Sequence, residues 1–136
     1  MKHFFVKRKR DEYNAFRIAE KPLVREHLDL SNVPVIEPDQ FKDFLQIQSI
    51  SFSSKLKNIP SGAFSGCERL KILDFSRCGA LEVISTKAFS NCVQLEKISF
   101  YGCVALKSIE EKAFFQCGEL TKVDLTNCVS LESIGR

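Results

Sequence analysis

The sequence lacks the features of several broad classes of protein. No apolar run approaches the ~18–20 residues of a membrane-spanning helix, and Phe4-Phe5-Val6 is far shorter than the ~7–15-residue apolar segment of a signal peptide. With 44% hydrophobic and 27% charged residues, the chain fits neither a disordered tail nor a membrane protein. Its six cysteines among 136 residues fall below the ~8–10% of a disulfide scaffold. We expect one cytoplasmic domain, with a nuclear location as the alternative and secretion less favoured.

Groups that carry catalysis or bind cofactors are also scarce. The only histidines, His3 and His27, stand in no nucleophile–base pattern. No Gly-rich phosphate-binding motif of the G-x-x-x-x-G-K-[ST] or G-x-G-x-x-G type is present. No C-x-x-C pair exists, and no histidine follows Cys67 to complete a zinc site. We expect no enzymatic activity, no metal and no cofactor.

What the sequence does contain is a 25-residue repeat. Three copies superpose without a gap over residues 63–87, 88–112 and 113–136, the last one residue short. Nine positions are apolar or cysteine in every copy, and those between them vary and are mostly polar. In the first copy they are Ala63, Phe64, Cys67, Leu70, Leu73, Phe75, Cys78, Leu81 and Ile84. A weaker 23-residue copy begins at Phe41, and all four prolines precede residue 61.

The spacing within a copy predicts the architecture. The two-residue step from Leu73 to Phe75 predicts a short strand with both side chains inward, and one strand per copy stacks into a parallel sheet. Three-residue steps through Ala-Phe-x-x-Cys-x-x-Leu predict a helical or 3₁₀ turn opposite. We expect an α/β solenoid, a short right-handed stack with a concave parallel sheet and an N-terminal cap. Glycines are expected at its corners: Gly62, Gly79, Gly102 and Gly118.

The same pattern divides the chain into three parts. We expect residues 1–10 to be a basic, flexible N-terminal head, residues 11–40 an N-terminal cap with a degenerate first repeat, and residues 41–136 a leucine-rich-repeat solenoid of about four repeats.

The A-F-x-x-C-x-x-L-x-x-I-x-F pattern with a following L-x-x-I, over residues 41–136, resembles the BspA-like (treponemal-type) leucine-rich-repeat family. A second cysteine column, Cys78/Cys103/Cys128, resembles cysteine-containing leucine-rich repeats instead, and the proline often found before the L-x-x-I step is missing. The resemblance implies a leucine-rich-repeat fold that serves as a protein-binding platform. Many members of the family look like surface adhesins of bacteria and protists.

The six cysteines have two interpretations. Equivalent cysteines of adjacent copies would lie one strand spacing apart, ~5 Å, which falls within disulfide range. Pairing within two columns of three would leave one thiol over in each. The favoured interpretation is buried, reduced cysteines that pack as small apolar residues and donate S–H to a backbone carbonyl at a turn.

Alternation along the strands predicts a candidate protein-binding face. If Leu73 and Phe75 point inward, the outward side chains are Asp74, Ser76, Lys97, Ser99, Tyr101, Lys122, Asp124 and Thr126, with Ile72 beside them and Ser49, Ser51 and Ser53 before them. Tyr101 is the best anchor, because exposed aromatic residues with a polar tip are enriched at hot spots. The charged members would set charge complementarity with a partner protein. The alternative is that these are simply solvated strand positions.

Two further regions suggest partners. The basic run Lys7-Arg8-Lys9-Arg10 is either a nuclear-localisation or nucleic-acid-binding patch or, as we favour, a solvated terminus. The last copy ends at Arg136 without a polar capping segment. Either the array continues beyond it or this end pairs with another chain, which allows self-association.

Overall fold

The structure, a computed structural model, describes residues 27–136. This part of the chain contains nine short strands. They are β1 (His27–Leu30), β2 (Ser49–Phe52), β3 (Asn58–Ile59), β4 (Ile72–Asp74), β5 (Val83–Ile84), β6 (Lys97–Ser99), β7 (Ser108–Ile109), β8 (Lys122–Asp124) and β9 (Ser133–Ile134). All pairings are parallel, in the orders β1-β2, β4-β6-β8 and β3-β5-β7-β9. Strands of equivalent sequence lie side by side, so the chain winds as a solenoid of repeating coils.

Each full coil has three sides. The first side carries β1, β2, β4, β6 and β8, with a hydrogen bond from Lys71 N–H to Gln48 O (3.2 Å) linking the coils of β2 and β4. The second side carries β3, β5, β7 and β9. The third side consists of turns over residues 38–43, 61–66, 86–91 and 111–116. On the first side Leu73, Ile98 and Val123 are in register, as the 25-residue period predicts.

The third side contradicts the expected helical or 3₁₀ turns, because residues 27–136 contain no helix and the fold there is not α/β. Its N–H groups alternate between two kinds of acceptor. Ala63 N–H and Ser65 N–H bond to carbonyls three residues back, whereas Phe64 N–H bonds to Ala88 O in the next coil at 2.8 Å. Left-handed residues at the ends of this turn, Gly62 (φ 66°) and Gly66 (φ 78°), interrupt any regular helix. The third side is thus a further ladder between coils.

Two of the four glycines expected at corners adopt the left-handed conformation, Gly62 and Gly102, while Gly79 and Gly118 do not. Gly66, which was not among the expected glycines, also adopts the left-handed conformation. At Gly66 a side chain would also collide with the Asp43 carboxylate of the preceding coil. In the later coils the equivalent of Gly66 is Asn91 (φ 60°) or Gln116 (φ 61°).

The interior is built from columns of identical side chains. Phe41, Phe64, Phe89 and Phe114 stack ring on ring, with centroids 5.3, 5.2 and 5.5 Å apart. A second column of Phe52, Phe75 and Phe100 stacks at 4.7 and 5.1 Å. The alignment of Phe64, Phe89 and Phe114 confirms the repeat as the structural unit. Because each interior ring contacts a ring in both neighbouring coils, the coils stabilise one another.

Candidate protein-binding face

The candidate face is the outward surface of β4, β6 and β8. Parallel pairing places Ile72, Lys97 and Lys122 in one row, and Asp74, Ser99 and Asp124 in a second. Neighbours within a row are separated by about 4.8 Å and the two rows by about 6.6 Å, the standard spacings of a parallel sheet. Of these six residues Ser99 is half-buried and the others are exposed. The face therefore carries a basic row beside an acidic and hydroxyl row.

The acidic row also has a structural task at the strand ends. Asp74 accepts a hydrogen bond from Ser76 N–H (2.9 Å), and Asp124 accepts one from Thr126 N–H (2.9 Å). The Ser99 hydroxyl accepts from Tyr101 N–H at 3.2 Å. These side chains cap the turns that follow each strand, and the Asp-x-Ser or Asp-x-Thr spacing is the sequence signal for them. Hydrogen bonds from the Thr126 side chain and, to a smaller extent, from its backbone N–H lower the pKa of Asp124.

The exposed apolar groups of this face are Ile72 and Tyr101. Their exposed fractions are 50% and 49%; Ile72 begins β4, whereas Tyr101 lies in the turn that follows β6. Together with Ser99, Lys97 and Lys122 they line a shallow depression in the sheet. An apolar and an amphipathic side chain beside lysines on an open sheet are suited to contact with a protein surface.

The outward serines of β2 are only partly as expected. Ser53 is buried, with 5% exposed, because β2 ends at Phe52 and Ser53 opens a turn in which its hydroxyl accepts Lys55 N–H (3.1 Å). Ser49 and Ser51 do lie on the outward side, where they hydrogen-bond the two nitrogens of the His27 ring at 2.7 and 2.8 Å. Sequence reasoning gave His27 no role, because its partners are 22 and 24 residues away.

The cysteines form two interior columns, and in each the thiol donates to a carbonyl of the preceding coil. This confirms the expected S–H contacts at turns. The pairs are Cys67 to Phe41 O (3.3 Å), Cys92 to Phe64 O (3.3 Å), Cys117 to Phe89 O (3.3 Å), Cys78 to Ser53 O (3.7 Å), Cys103 to Phe75 O (3.1 Å) and Cys128 to Phe100 O (3.2 Å). Burial raises the pKa of Cys78 to about 11 and that of Cys103 to about 12, so both thiols are protonated at neutral pH.

The other kinds of site considered in the sequence were sought in the described residues. Over residues 27–136, no group of histidine, cysteine and acidic side chains is arranged to hold a metal ion. The same stretch includes no helix that is long and apolar enough to cross a membrane. The basic run Lys7-Arg8-Lys9-Arg10 lies outside the described residues.

A stack of parallel strands with apolar columns inside and variable rows outside defines a leucine-rich-repeat solenoid. The chain belongs to the BspA-type family: the model described as "BspA type Leucine rich repeat region (6 copies)" matches residues 26–136. This confirms the resemblance noted in the sequence.

Two solved structures are similar to the chain. The chain is similar to a leucine rich cell surface protein from Faecalibacterium prausnitzii A2-165, with 25% identity and a TM-score of 0.63 over 76% of this chain and 30% of that one. A leucine-rich repeat protein from Bacteroides ovatus ATCC 8483 matches at 21% identity and a TM-score of 0.37, over 82% of this chain and 45% of that one. The chain thus spans less than half the length of either protein. A comparison with curated proteins finds no match. The expected cytoplasmic location gains no support, since the Faecalibacterium protein is described as a cell surface protein.

Proposed function

We propose that the chain is a non-catalytic interaction module that binds another protein through the outward face of β4, β6 and β8. The contact residues are Asp74, Ser76, Lys97, Ser99, Tyr101, Lys122, Asp124 and Thr126. The observation that carries the proposal is the alternation of burial along β4 and β6, with β8 paired in the same register. Leu73, between exposed Ile72 and exposed Asp74, is fully buried, so inward positions hold the fold and outward ones are free to vary.

The chemistry of the face supports a protein partner. Tyr101 and Ile72 offer apolar area for an anchor, and Lys97 and Lys122 provide positive charge in register beside them. Hydrogen bonds from N–H groups of the following turns hold the carboxylates of Asp74 and Asp124 in place. Little side-chain entropy is therefore lost when a partner docks against them. Membership of the leucine-rich-repeat family agrees with such a role.

The experiment compares two matched double variants in quantitative affinity capture. Tyr101→Ala with Lys97→Ala removes an exposed aromatic residue and a lysine from the face. Phe115→Ala with Lys87→Ala also removes one aromatic residue and one lysine, but from the third side, where Phe115 is 44% exposed and Lys87 is exposed. Proteins that the third-side variant captures but the face variant does not are then purified, and their binding to each variant is measured by calorimetry.

We expect the face variant to weaken binding by roughly tenfold or more, since a truncated hot spot costs ~2 kcal/mol or more. The third-side variant should bind as the unchanged chain does, and the melting temperatures of both should stay within a few degrees of it, as is usual for exposed substitutions. Equal binding by the face variant and the unchanged chain would contradict the proposal.

A further inference from the structure

A second polar cluster lies on β1 and β2, outside the candidate face. Its members are His27, Ser49 and Ser51, which parallel pairing brings together, with His27 opposite Ser49 and Asp29 opposite Ser51. The His27 ring lies between the two hydroxyl groups, with Nδ1 2.7 Å from Ser49 Oγ and Nε2 2.8 Å from Ser51 Oγ. His27 is exposed and both serines are half-buried, so small molecules can reach the cluster from solvent.

The distances in this cluster are those of a hydroxyl group beside a general base. A serine hydroxyl is activated as a nucleophile when an imidazole nitrogen lies within about 2.6–3.2 Å of it and a third group orients the imidazole. The cluster meets both conditions, because each ring nitrogen of His27 has its own hydroxyl partner. In a neutral imidazole one nitrogen accepts a hydrogen bond and the other donates one. The tautomer therefore decides which serine is the nucleophile.

The nearest carboxylate determines the tautomer. Asp29 lies two residues from His27 on the same face of β1 and is paired with Ser51. Its carboxylate accepts hydrogen bonds from Ser31 N–H (3.0 Å) and from the Ser31 hydroxyl (2.6 Å), which hold it there. Because a carboxylate attracts the N–H end of an imidazole, the proton is favoured on Nε2, the nitrogen next to Ser51. Nδ1 is then left to accept the hydroxyl of Ser49.

The same carboxylate favours Ser49 as the group that reacts. The oxyanion that forms during acyl transfer is negative, and Asp29 would repel it at Ser51. In the next coil the residue equivalent to Ser49 is the uncharged Ile72, by the register that the backbone hydrogen bond between the coils of β2 and β4 sets. Repulsion by Asp29 also disfavours anionic acyl donors, so the donors that fit this site are uncharged.

We propose that Ser49 is an acyl-acceptor site for uncharged activated esters, with His27 as the general base and Ser51 as the residue that positions its ring. The Ser49 hydroxyl proton passes to His27 Nδ1 while Oγ forms a bond to the carbonyl carbon of the ester. The bond from that carbon to the departing alcohol then breaks, and the proton passes from Nδ1 to the alcohol oxygen. The imidazole returns to its first state, and the product is a chain that carries one acyl ester on Ser49.

The test is acetylation of the full chain by p-nitrophenyl acetate, an uncharged activated ester, followed by peptide mass spectrometry. We expect one acetyl group at Ser49, held as an ester that hydroxylamine removes, whereas acetyl groups on lysine amines stay. The internal control is Ser108, a half-buried outward serine on β7 whose paired residues, Val83 and Ser133, offer no general base. Since a general base contributes about 100-fold or more, Ser49 should react faster than Ser108 by that factor.

Three variants distinguish a reactive site from a cluster that only links two coils. His27→Gln keeps a donor and an acceptor for the two serines but has no basic nitrogen. Its melting temperature should stay close to that of the unchanged chain, while acetylation of Ser49 should slow by about 100-fold or more. Ser51→Ala should slow the reaction because the ring loses its orienting partner, and Ser51→Thr, which keeps the hydroxyl, should restore it.

The proposal is overturned if Ser49 reacts no faster than Ser108, or if the acetyl group is found on Ser51 instead. An unchanged rate in His27→Gln would overturn it too. The comparison with Ser108 is made in the unchanged chain, so it holds whether or not a variant folds. All the variants lie on β1 or β2, so the side chains of β4, β6 and β8 are unchanged and partner capture by the candidate face is measured independently of this result.

Discussion

Replacing Phe89 by alanine tests whether the coils stabilise one another through their interior columns. Phe89 is fully buried and stacks between Phe64 and Phe114 at 5.2 and 5.5 Å, with Phe75 edge-on at 6.2 Å. Truncating a buried phenylalanine costs about 3–5 kcal/mol, and each aromatic pair is worth about 0.5–1.5 kcal/mol beyond burial. We therefore expect Phe89→Ala to lower the free energy of unfolding by about 4–5 kcal/mol.

The matched control is Phe114→Ala, because Phe114 belongs to the same column but is half-buried and stacks on Phe89 alone among the described rings. With less area buried and one ring contact, its loss should cost about 2 kcal/mol. Urea titrations followed by circular dichroism give both values. Equal losses for the two variants, or a larger loss for Phe114→Ala, would refute the argument that contacts with both neighbouring coils hold each coil in place.

Three further predictions concern the thiols and the turns. Cys103→Ala should cost about 1–2 kcal/mol in urea titrations, because it leaves a small void and removes the donor to Phe75 O, and Cys103→Ser should cost less if it restores that bond. Burial holds the pKa of Cys103 at about 12, above its ordinary 9.0, so its thiol contributes fully to stability below pH ~9. Between pH ~9 and ~12 the thiol ionises in the unfolded chain but not in the folded one, so the free energy of unfolding should fall. Urea midpoints at several pH values measure this fall, which should be shallower in Cys103→Ala. Gly66→Ala should lower the free energy of unfolding by at least about 1–2 kcal/mol, because φ is 78° and the new methyl group meets the Asp43 carboxylate. Adding Asp43→Gly should restore part of the lost melting temperature. If it restores none, the collision with Asp43 is not the cause.

The sequence was sufficient to predict the first side and the interior but not the third side. The columns through Leu73 and Phe75 recur every 25 residues, so their register follows directly once the copies are stacked. The prediction of helical turns was wrong because the N–H groups of the third side are divided between acceptors in the same turn and acceptors in the next coil. The sequence of a single copy gives no sign of the hydrogen bonds between coils. The left-handed conformation is marked by glycine at Gly66, but Asn91 and Gln116 adopt it in the later coils without that signal.

For the candidate face, alternation predicted the outward rows but not what each side chain does there. Asp74 and Asp124 were expected to serve a partner, and in the structure they also accept turn N–H groups, a local effect that the Asp-x-Ser/Thr spacing could have indicated. The pairing of His27 with Ser49 and Ser51 could not be predicted, because it depends on the register between the two weakest copies.

The ladders on all three sides have a mechanical consequence. The hydrogen bonds between coils run along the length of the stack, so a force that pulls its two ends apart loads one coil boundary at a time instead of shearing many bonds together. Each coil that detaches releases 25 residues, about 85 Å of extended chain. Under tension such a molecule should lengthen in equal steps at low force, as a compliant tether.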